Sequence, residues 1–243
     1  MAHRTRKKLT KKEIERDPIG EKLEIFVLFL QRYYKEVIGG FLAILVAVLV
    51  LQYVISQKNT ASDEAMAGFI TASQTYSQAM NAAAGSQAEA AFQALDASYN
   101  LAMQTFNNNP QSDWARKSAI LAAKIDIIRG NYEGAISTLS TVLATNPDNS
   151  IKIPALLHLG IVLENRGSEQ DLVNAVASYE ELIELAQDNP AIQAEALNGL
   201  SRLYFEQGKF TESEEALTAT LALSEDTTAF EAYQIARLAE LGN

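Results

Sequence analysis

Read for the spacing of its apolar positions, the chain divides in two. From Val37 to Gln57 the run VIGGFLAILVAVLVLQYVISQ carries no charge and shows no polar face. A helix of that length rises about 31 Å at roughly 1.5 Å per residue, against a bilayer core of about 30 Å, so it is long enough to span. A buried core helix ordinarily keeps a polar stripe, and this run has none. A cleaved signal peptide would have an apolar stretch of about 7–15 residues behind a short basic leader. Here 36 residues precede the run. The pattern therefore predicts an uncleaved signal anchor over 37–57, a leader over 1–36 and a separate domain over 58–243.

Beyond Lys58 nothing alternates as a strand would. Apolar residues recur at helical spacing, broken roughly every 15–20 residues by Gly, Pro, Asn or Ser. Helices are predicted near 62–83, 86–107, 112–129, 132–145, 152–166, 171–187, 191–207, 210–223 and 227–241. Ser86 with Glu89, and Thr228 with Glu231, have the spacing of capping boxes. Short connections between such helices give antiparallel hairpins.

The leader opens with the basic run MAHRTRKKLTKK, a solvated tail or a weak grip on anionic headgroups. Thr10 and Glu13 fit a capping box for a short helix that Asp17-Pro18 would stop. Leu23, Ile25 to Leu30, Tyr33 and Tyr34 then form an apolar stretch flanked by charges. It either lies along the inner interface or prolongs the spanning helix. Tyr33 and Tyr34 suit the inner interface and Tyr53 the outer one. Within the run, Gly39, Ala43 and Ala47 recur every four residues, a strip of small side chains suited to helix packing in a membrane.

Charge orients this arrangement. Residues 1–36 hold ten basic and six acidic residues, net +4, whereas residues 58–243 hold ten basic and 24 acidic, net −14. Positive flanks stay in the cytoplasm, so the chain is expected to cross the membrane once, with its C-terminal domain on the side away from the cytoplasm. A domain so acidic is a poor nucleic-acid binder. The chain has no cysteine, which removes disulfides, thiolate zinc sites, thiol nucleophiles and anchorage through a lipidated N-terminal cysteine.

The hairpins repeat. At Gly130-Asn131-Tyr132-x-x-Ala135 and Gly208-Lys209-Phe210-x-x-Ser213 the chain places Gly, a polar residue, an aromatic and then a small residue three positions on. Glycine closes the first helix in a left-handed conformation, the aromatic plugs the gap, and the small residue lets the helices cross closely. Seven residues before these glycines stand Ala123 and Ser201, and Gly160 precedes Gly167 by the same interval. Ala175 and Tyr179 fill the second helix of that middle hairpin. This pattern resembles the tetratricopeptide repeat, of period 34, with Pro147 and Pro190 at the expected place after the second helix. Departures are a turn lengthened by Ser168 to Asn174 and Asp126 where an aromatic is usual. Phe106, Pro110, Trp114 and Ala115 look like a junction between hairpins, which makes 62–107 a degenerate first hairpin and 227–241 a cap on the open end. The resemblance implies an all-α fold, one N-terminal transmembrane helix followed by a tetratricopeptide-repeat solenoid.

Catalytic chemistry finds no foothold. His3 lies in the basic tail, and His158 sits among Leu156, Leu157 and Leu159 as a structural histidine. Glu180, Glu181 and Glu184, and Glu212, Glu214 and Glu215, read as solvated helix faces. The chain has no phosphate loop, nucleophile elbow, dinucleotide fingerprint or metal-ligand spacing, so neither an enzyme nor a cofactor is expected.

Basic leader, single anchor and acidic repeat domain together resemble the YfgM-like proteins of Gram-negative bacteria, down to the opening LTKKEIERDP. The resemblance implies a scaffold ancillary to the Sec translocon, with translocon subunits, periplasmic chaperones or emerging polypeptides as protein partners. Similar repeat proteins coordinate envelope assembly or division without the translocon, and self-association stays open. In stacked hairpins the first helix of each pair lines the inner surface. Lys124, Ile128, Glu164, Asn165, Asn198, Arg202 and Phe205 are the candidates to face that groove and hold an extended peptide.

Overall fold

The structure is a computed structural model describing residues 18–223. Two expected capping boxes, Thr10 with Glu13 and Thr228 with Glu231, and the helix over 227–241 lie outside the described residues, as does His3. Among the described residues there are eight helices and no strand. In order they are α1 (Pro18–Ala84), α2 (Ala88–Asn108), α3 (Asp113–Ile128), α4 (Tyr132–Ala144), α5 (Asn149–Arg166), α6 (Glu169–Leu185), α7 (Pro190–Glu206) and α8 (Phe210–Leu223). The described residues fall into two units, divided between Asn59 and Thr60.

In the first unit the stretch expected to lie beside the anchor is helical, and helix continues through the uncharged run. The one departure inside α1 is Tyr33, at φ −117° and ψ 23°. Every side chain from Val37 to Gln57 is exposed. An ideal Cβ on Gly39 or Gly40 would meet nothing within 4 Å, so no described residue packs against the strip of Gly39, Ala43 and Ala47 at its glycine end.

The second unit is a row of helical hairpins. Each helix from α2 onward packs on the next, α3 also touches α5, and α5 touches α7, the contact pattern of stacked hairpins whose first helices share one side. The part of α1 beyond Thr60 packs on α2 and α3 through a ladder of alanines. Ala65 lies with Phe106 and Ala115, Ala72 with Ala102 and Ala122, and Ala79 with Leu95 and Ile125. Backbones come close enough for Ser98 Oγ to donate to the Ala72 carbonyl at 2.8 Å. A Cβ on Gly68 would fall 2.2 Å from Thr105 Oγ1.

Two cores fill the hairpins that follow. The first gathers Leu139, Val142, Ile151 and Val162, all without exposure, with Trp114 and Tyr132 partly buried at its edge. Each fully buried aliphatic side chain of this kind stabilises the fold by about 1.5–3 kcal/mol. The second gathers Leu156, Leu163, Tyr179, Leu182, Leu200 and Leu203.

The predicted turns are present at 130, 167 and 208, where the glycines have φ of +75°, +71° and +74°. After Gly130 the Asn131 amide donates to the Asp126 carbonyl at 2.8 Å, and Lys209 repeats this onto Tyr204 at 2.9 Å, the six-to-one bond that ends a helix on a left-handed residue. Small residues meet where expected: Ala123 and Ala135 are fully buried, and Ser201 and Ser213 each donate to the other's carbonyl, at 3.0 and 2.8 Å.

Three expectations need correction. The middle turn is not lengthened, because α6 starts at Glu169 behind a full capping box: Ser168 Oγ accepts from the Asp171 amide, and the Asp171 carboxylate accepts from the Ser168 amide. The added residues are a turn of helix. Ser86 caps nothing. It has φ +61°, and the N-cap of α2 is Gln87, whose side chain makes no capping bond. Finally, α5 begins one turn earlier than predicted, at Asn149, because Asp148 accepts from the Ser150 amide at 2.9 Å and moves the start ahead of Pro154.

Candidate functional site

The inner face is made by the first helices of successive hairpins, and the packing beneath it decides which side chains are free to bind. Its centre is Tyr179 on α6, 1% exposed. The ring fits a slot between two glycines: a Cβ on Gly160 of α5 would stand 2.6 Å from Cε1, and one on Gly199 of α7 2.5 Å from Cε2. Neither approach is possible for any residue with a side chain. The ring thus joins α5, α6 and α7, and its hydroxyl emerges beside the inner face to donate to Glu164 Oε2 at 3.0 Å. Burial, followed by the nearby Glu164 carboxylate, pushes the Tyr179 phenol well above its usual value, so it remains a donor.

Glu164 also receives Arg202 in two bonds, Nε to Oε1 at 2.6 Å and Nη2 to Oε2 at 2.9 Å. Two residues expected to offer themselves to a peptide are therefore paired with each other across adjacent hairpins, a bidentate geometry that fixes both. Asn165 is exposed beside them and Asn198 is half-buried. Ile128 is 49% exposed, and Phe205, 48% exposed, lies against Phe210 with ring centroids 5.6 Å apart.

Lys124 stands elsewhere on the face, its Nζ 5.2 Å from the centroid of the Tyr76 ring. Near it is His158, lining the same cavity between α1, α3 and α5. Burial first, then the Lys124 charge, lowers the His158 pKa to about 4, so the imidazole is neutral near pH 7. This agrees with a structural histidine. Among the described residues no group of three or more His, Asp or Glu is placed to hold a metal ion.

Two buried carboxylates lie under the turns. Asp171 is held by Arg166, whose Nε donates to Oδ2 at 2.7 Å, and by Ser168; the Arg166 bonds above all keep it far below the usual carboxylate range. Asp126 is the opposite case. Its Oδ1 accepts from Asn131 Nδ2 at 3.0 Å while Oδ2 has no hydrogen-bond partner, and burial raises its pKa. Where the repeat family usually has an aromatic, this chain thus has a polar support for the turn.

Sequence reasoning missed the glycine slot and the pairing of Glu164 with Arg202. A signal for the first existed in Gly199, a helix-interior glycine that no turn explains. No curated protein matches the chain. Residues 194–227 match the family model of the tetratricopeptide repeat, beginning seven residues before Ser201 and covering the α7/α8 hairpin with its turn at Gly208, so this part of the inner face is built on a tetratricopeptide repeat, a protein-interaction scaffold.

Proposed function

We propose that the protein is a membrane-anchored scaffold whose repeat unit stands outside the cytoplasm and holds protein partners on the inner face of its hairpins, close to the Sec translocon. The observation carrying this reading is the union, in one chain, of a tetratricopeptide repeat with a helix whose Val37–Gln57 run is uncharged and wholly exposed. A helix surface of that length and composition is at home in lipid rather than water. The basic leader and acidic repeat unit favour a cytoplasmic N-terminus. The YfgM-like resemblance supports the translocon as neighbour, with chaperones or emerging chains as clients.

The test has two arms. A reporter enzyme active only outside the cytoplasm, fused after Asn243, is expected to be active, and activity of a cytoplasm-only reporter there would reverse the topology. Photo-crosslinkers at Asn198 and Ile128 should capture translocon subunits or exported chains, whereas one at Glu214 on α8 should not. Equal capture at all three positions would remove the inner face from the mechanism.

A further inference from the structure

Eight cations stand between Thr60 and Leu223, and their partners sort them. Arg116, Arg129, Lys152, Arg166 and Arg202 each pair with a carboxylate. Lys117, Lys124 and Lys209 form no ion pair among the described residues and lie over the rings of Trp114, Tyr76 and Tyr204, at 4.5, 5.2 and 5.6 Å from their centroids. An ammonium resting on a ring keeps its charge and the side turned away from the ring, so it can still take an anion.

Two of these three lysines line one cavity. It has a volume of about 280 Å³ and lies on the inner side between α1, α3 and α5, with Phe69, Ile120, Leu121 and Pro154 as its apolar wall. No carboxylate lines it. Asp148 feels the charge of Lys117 from beside the cavity, but its Oδ1 is engaged by the Ser150 amide and hydroxyl, at 2.9 and 2.6 Å. In a domain of net charge −14, a concave site whose charged groups are cations departs from its surroundings. Its volume is at or below the small end of small-molecule sites, roughly 300–1,000 Å³, and suits one or two side chains of a peptide instead.

We propose that this cavity docks an acidic segment of a protein partner, its carboxylates on Lys117 and Lys124 and its apolar side chains against Ile120, Leu121, Phe69 and Pro154. The proposal rests on reading the repeat unit as a protein-binding scaffold and narrows the class of partner. Seven positions along α3 separate the two lysines by roughly 10 Å, and residues three apart in a polyproline II segment share one side and stand about 9 Å apart. Acidic residues three apart with apolar residues between them are the matching pattern. Polyanions such as nucleic acid fit poorly, since the acidic surroundings repel a long charged backbone.

The test uses the full chain in detergent and a fluorescent peptide carrying Glu-Leu-Phe-Glu between Gly-Ser flanks, read by anisotropy. The Glu peptide should bind at least tenfold more tightly than its Gln counterpart and weaken as salt is raised. Lys117→Gln with Lys124→Gln should abolish that preference, Lys117→Arg with Lys124→Arg should keep it, and Lys209→Gln should leave it unchanged. Equal binding of the Glu and Gln peptides, equal loss in Lys209→Gln, or displacement of the peptide by an equimolar single-stranded oligonucleotide would overturn the proposal. In cells, a photo-crosslinker at Leu121 that captures neutral or basic segments sinks the acidic docking point alone. Absence of capture at Leu121, Asn198 and Ile128 together sinks the scaffold reading with it.

Discussion

Gly199→Ala tests the slot around Tyr179 most directly. On a helix surface the change is favourable, since Ala exceeds Gly in helix propensity by about 1 kcal/mol. Here the new methyl would lie 2.5 Å from Tyr179 Cε2 and 2.6 Å from Cζ, whereas carbon atoms at ease stand about 3.5–4.0 Å apart. The ring must move by about 1 Å. Its opposite edge already meets Gly160 too closely to admit even a methyl, and moving also pulls the hydroxyl from Glu164. Overpacking of this kind costs about 1–3 kcal/mol, or more where nothing yields. With both walls of the slot closed the upper half of that range applies, and set against the helix gain the expected net loss is about 1–2 kcal/mol, or roughly 2–8 °C in Tm for a domain of this size. Thermal and urea unfolding followed by circular dichroism on the full chain in detergent would measure it. Tyr179→Leu is the control background: with the ring gone, Gly199→Ala should become neutral or stabilising. The double-mutant cycle should return a coupling of about 2 kcal/mol. Stabilisation by Gly199→Ala with Tyr179 in place would refute the slot.

Two further outcomes follow from the turns and the buried ionisable groups. Tyr132→Ala and Phe210→Ala remove rings that are only partly buried, so each should cost about 1.5–2.5 kcal/mol rather than the 3–5 of a fully buried aromatic; equal losses for Tyr132→Ala and Tyr179→Ala in urea unfolding would contradict the burial assigned to them. His158 has a lowered pKa in the fold, so the unfolded chain binds its proton first, and stability should fall as pH drops from about 6.5 to about 4, by at most roughly 3 kcal/mol. Asp171, also lowered, adds its loss only below the unfolded carboxylate value of roughly 3.9, while Asp126, raised by burial, recovers stability as it takes up its proton. His158→Gln should flatten the decline between pH 6.5 and 4, and an unchanged slope there would count against the burial of the imidazole.

What was legible in the chain beforehand was whatever depends on near neighbours. Helical spacing, the left-handed glycines at 130, 167 and 208, and the small residues at their crossings are local signals, and the fold has them. The middle turn looks longer in the sequence than it is, because Ser168 to Asn174 are polar like a loop, although the three-residue spacing of Ser168 and Asp171 is itself that of a capping pair. Tyr179 was placed on the second helix of its hairpin, but its two glycine walls come from different hairpins, and no spacing rule relates residues 160, 179 and 199. The inner-face candidates show the same limit. Repeat geometry put Glu164 and Arg202 on one side, yet whether two such side chains seek a ligand or each other depends on the distance between α5 and α7.

The alanine ladder of α1 has a consequence for how that helix finds its place. Ala65, Ala72 and Ala79 are alike and evenly spaced, so sliding the helix by seven residues, about 10 Å, would bring alanine against most of the same partners. Methyl groups alone make the seam nearly indifferent to such a slip. Gly68 breaks the degeneracy. Thr105 comes so close that only glycine fits opposite it, and a seven-residue slip would present Ala61 or Thr75 there instead. A single missing side chain thus fixes the phase of the helix, and a Cβ added at that position would erase the mark by which one alignment is told from the next.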